Sequence, residues 1–201
     1  DFVNNIQAKV SAQEGNSLPV SAFKDYVDGT TPSGTSAYEK RGIAVNIPVW
    51  NAENCIQCNR CSYVCPHAAI RPVAMTEAEA AAAPAEMKTL AMTGMADKKF
   101  AIVVSALDCT GCGSCANVCP GKKGAKALDM ANMEANAACQ SAFDYAVTLP
   151  EKADVIEKFK EATVKGSQFK TPLLEFSGAC AGCGETPYAK LITQLFGDRM
   201  Y

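Results

Sequence analysis

Cysteine is the residue type in this chain with most chemistry in it. The sequence has 201 residues and 11 cysteines, most of them in two short runs, CIQCNRCSYVCP (55–66) and CTGCGSCANVCP (109–120). Closely spaced thiols serve disulfides, zinc sites or iron–sulfur cages. The N-terminus, DFVNNIQAKV, lacks the basic and apolar regions of a secretory signal, and the cysteine count is odd; both weigh against a disulfide framework. Metal ligation is the stronger reading, because thiolates are soft anionic ligands suited to zinc and to iron–sulfur cages.

Spacing separates those two. Structural zinc usually takes two Cys-x-x-Cys pairs separated by a longer stretch. Here Cys55, Cys58 and Cys61 stand at three-residue steps, and Cys65 follows with Pro66 behind it. Cys109, Cys112, Cys115, Cys119 and Pro120 repeat the pattern at the same offset, which marks an internal duplication. The C-x2-C-x2-C-x3-C-P run is the spacing of bacterial ferredoxins, where the fourth cysteine ligates the other cluster of a pair. A short loop can wrap three corners of a cube while the fourth thiolate leaves with the chain. One [4Fe–4S] cluster is therefore assigned to Cys55, Cys58, Cys61 and Cys119, the other to Cys109, Cys112, Cys115 and Cys65. Gly111 and Gly113 would let the second loop's backbone approach the inorganic sulfur. The first loop has Ile56, Gln57, Asn59 and Arg60 instead, so the clusters should differ in potential.

Other reactive residues carry less. His67 reads as a partly exposed residue at a helix start, and Cys139 as a small buried apolar residue. Lys40-Arg41 fits a solvated face or a docking contact. Cys180 and Cys183 in GACAGCGETP are too few to complete a zinc or cubane site. They read as half of a third metal site whose other ligands lie beyond Tyr201; a redox-active pair and a plain glycine-rich turn are the alternatives. With no initial methionine, both ends look cut.

The elements that must hold these loops are short. GIAVNIPVW (42–50) and FAIVVSAL (100–107) are β-branched runs leading into the cysteine loops. After each Cys-Pro a short helical turn and a second strand are expected, AAIRPV (68–73) and KALDM (126–130). Two such units back to back give an α+β, two-cluster ferredoxin-like fold with pseudo-twofold symmetry. The alanine-rich stretch 76–99 reads as an exposed helical insertion. The expected organisation is a loop-rich segment over 1–50, the ferredoxin-like domain over 51–131, a helical connector over 132–170 that includes KADVIEKFKEAT, and the start of another domain over 171–201. A helix is predicted over 187–196, with Thr186 as cap, Pro187 first and Gly197 as stop.

Composition narrows the class. Hydrophobic residues make up 48% and the formal net charge is −2, so a globular chain is expected, with no basic run for nucleic acid or an anionic membrane surface. The apolar runs are too short to span a bilayer, and a cytoplasmic location is expected.

Three blocks together resemble one family. DGTTPSGTSAYEKRGIAVNIPVW is similar to the small domain named for its Glu-Lys-Arg motif, here Glu39, Lys40 and Arg41. The two cysteine runs resemble an inserted ferredoxin domain, and GACAGCGETPYAKLITQLFGDRM resembles the opening of a C-terminal thiamine-binding domain. All three resemble pyruvate:ferredoxin (flavodoxin) oxidoreductase. The resemblance implies oxidative decarboxylation of a 2-oxoacid with coenzyme A, giving acyl-CoA, carbon dioxide and electrons for ferredoxin or flavodoxin. It implies thiamine diphosphate with Mg2+, a third cluster held partly by Cys180 and Cys183, and contact of Glu185 with the thiamine cofactor. It also implies a homo-oligomer when full length, and no turnover by this stretch alone. The rival readings are an independent ferredoxin, an iron–sulfur subunit of a larger complex and a zinc-stabilised interaction module. The first two leave GACAGCGETPY without a purpose.

Overall fold

Asn46–Trp50 (β1) and Lys99–Val104 (β4) are the two strands that lead into the cysteine loops. Each ends five residues before the first cysteine of its loop (55 − 50 and 109 − 104). The computed structural model describes residues 1–200. It divides into two units, Asp1–Lys40 and Arg41–Tyr201.

In the second unit the strands exchange partners between the cysteine loops. β1 pairs antiparallel with β5 (Leu128–Asn132), from Asn46 opposite Asn132 to Trp50 opposite Leu128. β4 pairs antiparallel with β2 (Ile70–Met75), from Ile70 opposite Val104 to Met75 opposite Lys99. Each sheet thus joins the strand entering one loop to the strand leaving the other. The fourth cysteine of each run, lying on the way to the exit strand, is carried toward the opposite loop. The expected helical turns fall elsewhere: the single turns Arg60–Tyr63 (α2) and Ser114–Asn117 (α4) precede the Cys-Pro pairs, and a plain turn follows Pro66. Proline after the cysteine opposes the helical conformation of the residue before it.

The core lies under β4, whose residues from Phe100 to Val104 are all buried. Ile70, Met75, Leu128 and Phe143 pack with it. Full burial of such side chains is worth about 1.5–3 kcal/mol each. Aromatic rings extend this core outward: Trp50 and Phe100 lie 6.2 Å apart, and Phe169 stands 6.4 Å from Phe100.

The 76–99 insertion is not simply an exposed helix. Only Glu77–Ala81 (α3) is helical, closed by a capping box between Thr76 and Glu79. The chain then returns as Leu90–Ala91 (β3) on the free edge of β4, burying Met87 and Met92. Proline at position 84 ends the helix, and the methionines supply the apolar anchor that the alanines lack. The connector likewise breaks up, into Met133–Asn136 (α5), Cys139–Ala146 (α6), Ala153–Phe159 (α7) and Val164–Ser167 (α8). Lys160 takes a left-handed φ of 62°, which stops α7, and Thr163 caps α8 through the Gly166 N–H at 2.9 Å. Thr186–Phe196 (α9) matches the predicted helix. It starts one residue earlier, with Glu185 at the cap position, and Gly197 continues in right-handed conformation into a 3-10 turn.

The first unit is built of short helical pieces. Val3–Gln7 runs into Ala8–Ser11 (α1), followed by 3-10 turns at Gly15–Ser17, Val20–Tyr26 and Thr35–Tyr38. Gln7 Nε2 donates to the Thr35 carbonyl at 2.9 Å, and Phe2 meets Tyr26 edge-on at 4.9 Å. Among the described residues no helix is long and apolar enough to cross a membrane.

Candidate metal centres

A loop that must present three thiols to one centre has to turn sharply between them. Both loops do so with left-handed residues at matched positions: Gln57 (φ 57°) and Asn59 (φ 60°) in the first, Gly111 (φ 70°) and Gly113 (φ 76°) in the second. Glycine adopts this conformation freely, and Gly111 has a further reason, since a Cβ there would sit 3.0 Å from the Asn46 carbonyl oxygen. For an L residue the same conformation costs about 1–2 kcal/mol. The first loop offsets that with side-chain hydrogen bonds. Gln57 Nε2 donates to the Ala91 carbonyl at 2.9 Å, and its Oε1 accepts from the Thr93 N–H at 2.8 Å, tying the loop to the insertion. Asn59 Nδ2 donates to the Lys165 carbonyl at 2.9 Å. The sequence marks these positions only by aligning them with the glycines of the second copy.

The cysteines border two cavities. One is lined by Cys55, Cys58, Cys61 and Cys119, with Trp50 and Leu128 among its walls. The other is lined by Cys65, Cys109, Cys112 and Cys115, with Pro48 and His67. In each, three thiols come from one run and the fourth from the other, as the strand exchange requires. Among the described residues no three His, Cys, Asp or Glu side chains converge on a point that could hold a single ion. Four thiols line each cavity, the number that a [4Fe–4S] cage takes as ligands.

Polar groups at these walls also suit such a cage. Backbone N–H groups of Gln57, Gly111 and Ala127 each lie 3.4 Å from a cysteine sulfur, on Cys55, Cys109 and Cys119 respectively. Trp50 Nε1 is a buried N–H at the first cavity, facing the Cys55 sulfur. Such a donor is costly in an apolar wall unless met, and a thiolate there would accept from it. His67 is not the partly exposed helix-start residue expected: it is only 2% exposed and lies in a turn, with Nδ1 3.1 Å from the Ser177 carbonyl. The segment after the connector folds back over it, a contact no local pattern announces.

Burial dominates the electrostatics. It pushes the Cys109 thiol up to about 11 and the Cys115 thiol up to about 12, with neighbouring Cys65 adding to both. Cys61 rises well above the usual thiol range for the same reason, and Cys55 rises too. Uncompensated, these thiols stay protonated at neutral pH. A bound cation reverses that and turns them into thiolate ligands. Cys139 is partly buried, its Sγ 3.5 Å from the Val104 carbonyl oxygen, and lines neither cavity.

Cys180 and Cys183 lie in the loop before α9. Cys180 is exposed, and the Cys183 thiol is pulled below its usual range by the Thr186 hydroxyl, then by backbone N–H groups at the helix start. This loop rests against the second cysteine run: a Cβ on Gly182, whose φ is 71°, would lie 3.3 Å from Cys112 Cβ. The Glu185 side chain is exposed. Lys190, not singled out by sequence, is fully buried, and its Nζ donates to the Ser62 carbonyl at 2.6 Å and the Cys65 carbonyl at 3.0 Å. Burial draws its ammonium down to about 8. A lysine on an amphipathic helix gives no local sign that it points inward.

Two family models and several curated proteins match the chain. Residues 1–44 match the EKR family model, described as a domain of unknown function, and residues 54–123 match a 4Fe-4S dicluster domain. The chain is 56% identical over 199 residues to a pyruvate-flavodoxin oxidoreductase of Enterobacter agglomerans, covering 99% of the chain and 16% of that protein. It is 57% identical over 203 residues to the pyruvate:ferredoxin oxidoreductase of Moorella thermoacetica, covering 100% of the chain and 17% of that protein. A pyruvate dehydrogenase [NADP(+)] of Cryptosporidium parvum is 51% identical over 203 residues, covering 99% of the chain and 10% of that protein. The chain therefore spans about one sixth of the length of the first two relatives.

Proposed function

We propose that this chain, a segment of the pyruvate-flavodoxin and pyruvate:ferredoxin oxidoreductase family, is the part that carries electrons away from the thiamine centre of a 2-oxoacid oxidoreductase. The observation that carries the reading is the pair of cavities, each walled by three cysteines of one run and the fourth of the other. Cys55, Cys58, Cys61 and Cys119 would hold one [4Fe–4S] cluster, and Cys109, Cys112, Cys115 and Cys65 the other. Bound there, the clusters supply neighbouring one-electron sites. The pseudo-twofold arrangement belongs to the same reading. α2 (60–63) and α4 (114–117) are separated by 54 residues, as are Cys55 and Cys109.

The chain's own residues set the conditions for that chemistry. Trp50, Ile102, Leu128 and Val104 keep the cavity walls apolar and limit water. The N–H groups of Gln57, Gly111 and Ala127 offset negative charge on sulfur. Cys180 and Cys183 would supply two ligands of a third cluster next to thiamine diphosphate and its Mg2+, with Glu185 facing the cofactor. The position of their loop against Cys112 supports electron entry at the second run. Along α9, Tyr188, Ile192 and Phe196 expose apolar surface at four-residue steps, which suits the first helix of a further domain. Residues 1–50, 51–131, 132–170 and 171–201 then serve as EKR segment, cluster domain, connector and start of the thiamine domain. The unpaired thiols fit a reducing cytoplasm. Pyruvate and coenzyme A would be the substrates of the full-length homo-oligomer, and ferredoxin or flavodoxin the acceptor.

The test uses the full-length protein under anaerobic conditions. Pyruvate with coenzyme A should bleach its visible absorption and reduce flavodoxin. A Cys65→Ala, Cys119→Ala double variant should lose flavodoxin reduction while still binding thiamine diphosphate. Undiminished reduction of flavodoxin by that variant contradicts the proposal.

A further inference from the structure

Lys190 is a buried cation with an incomplete set of partners. Its Nζ reaches two carbonyl oxygens, those of Ser62 and Cys65, and among the described residues it has no ion pair with a carboxylate. Carbonyl dipoles compensate a buried ammonium only in part, and desolvation of such a charge is costly. The Arg71 guanidinium, which lines the same pocket, opposes the charge, whereas Cys65 and Cys61 favour it. Cys65 lines one cysteine cavity and Cys61 the other. Lys190 therefore stands behind the stretch from 61 to 65 that joins the two.

We infer that Lys190 is the shared counter-cation of the two cages, and that its charge raises the reduction potential of both, more strongly for the cage holding Cys65. The inference rests on the cluster reading above. A cubane held by four thiolates is anionic, and reduction adds one more negative charge, so a fixed cation nearby favours the reduced form. Cys65 is the closer contact, because Nζ bonds its carbonyl directly. Lys190 also sits in α9, one turn beyond Thr186.

The experiment is a redox titration of the anaerobically purified holoprotein, followed by electron paramagnetic resonance, with iron content measured on every sample. Lys190→Met should keep wild-type iron and lower the one-electron reduction equilibrium of the Cys65 cage about tenfold, equivalent to about 59 mV, with a smaller fall at the other. Lys190→Arg should leave both near wild type. Lys190→Gln, which still donates to the carbonyls without charge, replaces the methionine variant if that one fails to assemble, and should show the same fall. Gln194→Leu is the docking control. It removes another buried anchor of α9, whose Nε2 bonds the Ser167 carbonyl at 2.9 Å, and should leave both potentials unchanged. Unchanged potentials in the iron-replete neutral variants, or an equal fall in Gln194→Leu, overturn the inference. A wild-type protein without two clusters overturns the underlying reading instead.

Discussion

Replacing Cys119 with alanine tests the strand exchange at the level of single ligands. Cys119 is 58 positions from Cys61 (119 − 61), yet it lines the cavity of the first run and not that of the second. Two cubanes of four irons give eight (2 × 4), so loss of one cage should leave about half the iron. Pairing the variant with a second substitution locates the loss. Cys119→Ala with Cys58→Ala strikes the same cavity twice and should still leave about half the iron. Cys119→Ala with Cys112→Ala strikes both cavities and should leave little. Such non-additivity within a site, and additivity between sites, is the signature of shared partners. Iron and sulfide assays on anaerobically prepared protein, with the resonance spectrum of the dithionite-reduced state, provide the readout. The reasoning is refuted if Cys119→Ala is additive with Cys58→Ala and non-additive with Cys112→Ala.

Three further outcomes follow from the loops. Gln57→Gly removes about 1–2 kcal/mol of left-handed strain but also two hydrogen bonds of about 1 kcal/mol each, so it should be nearly neutral. Gln57→Ala keeps the strain and should cost about 2 kcal/mol or more, measured by anaerobic denaturant unfolding. In the second loop, Gly111→Ala meets the Asn46 carbonyl as well as the left-handed penalty, whereas Gly113→Ala meets open space. Gly111→Ala should therefore be the more damaging by the same assay. In iron-stripped protein, the raised Cys109 and Cys115 thiols contribute stability that is complete below about pH 9 and lost as pH rises toward 11–12. The sign follows from tighter proton binding in the folded state, and unfolding midpoints should hold between pH 8 and 9 and fall steadily from pH 9 to 11. A midpoint rising over that interval would contradict it.

The grouping of the cysteines around two cavities was legible in the sequence because the repeated spacing pairs them directly. The strands beside each loop were legible too, since β-branched runs such as NIPVW and FAIVV have few other uses. What escaped was set by contacts between distant segments. The helical turns were displaced because proline after Cys65 and Cys119 bars a helix at those cysteines. The insertion was read from its alanines, while its fold is decided by Met87 and Met92 and by the edge of β4. His67 was read as partly exposed and Lys190 drew no notice, because each is covered by a segment more than one hundred positions away, through Ser177 and through Ser62 and Cys65. Gln57 and Asn59 hide a backbone requirement that glycine states openly at 111 and 113.

The most direct measurement is metal and sulfide analysis of anaerobically purified protein, joined to its visible spectrum before and after dithionite. The account predicts about eight irons and eight sulfides per chain, a brown colour that dithionite bleaches, and resonance from two interacting reduced clusters. A colourless chain with stoichiometric zinc and no sulfide would contradict it.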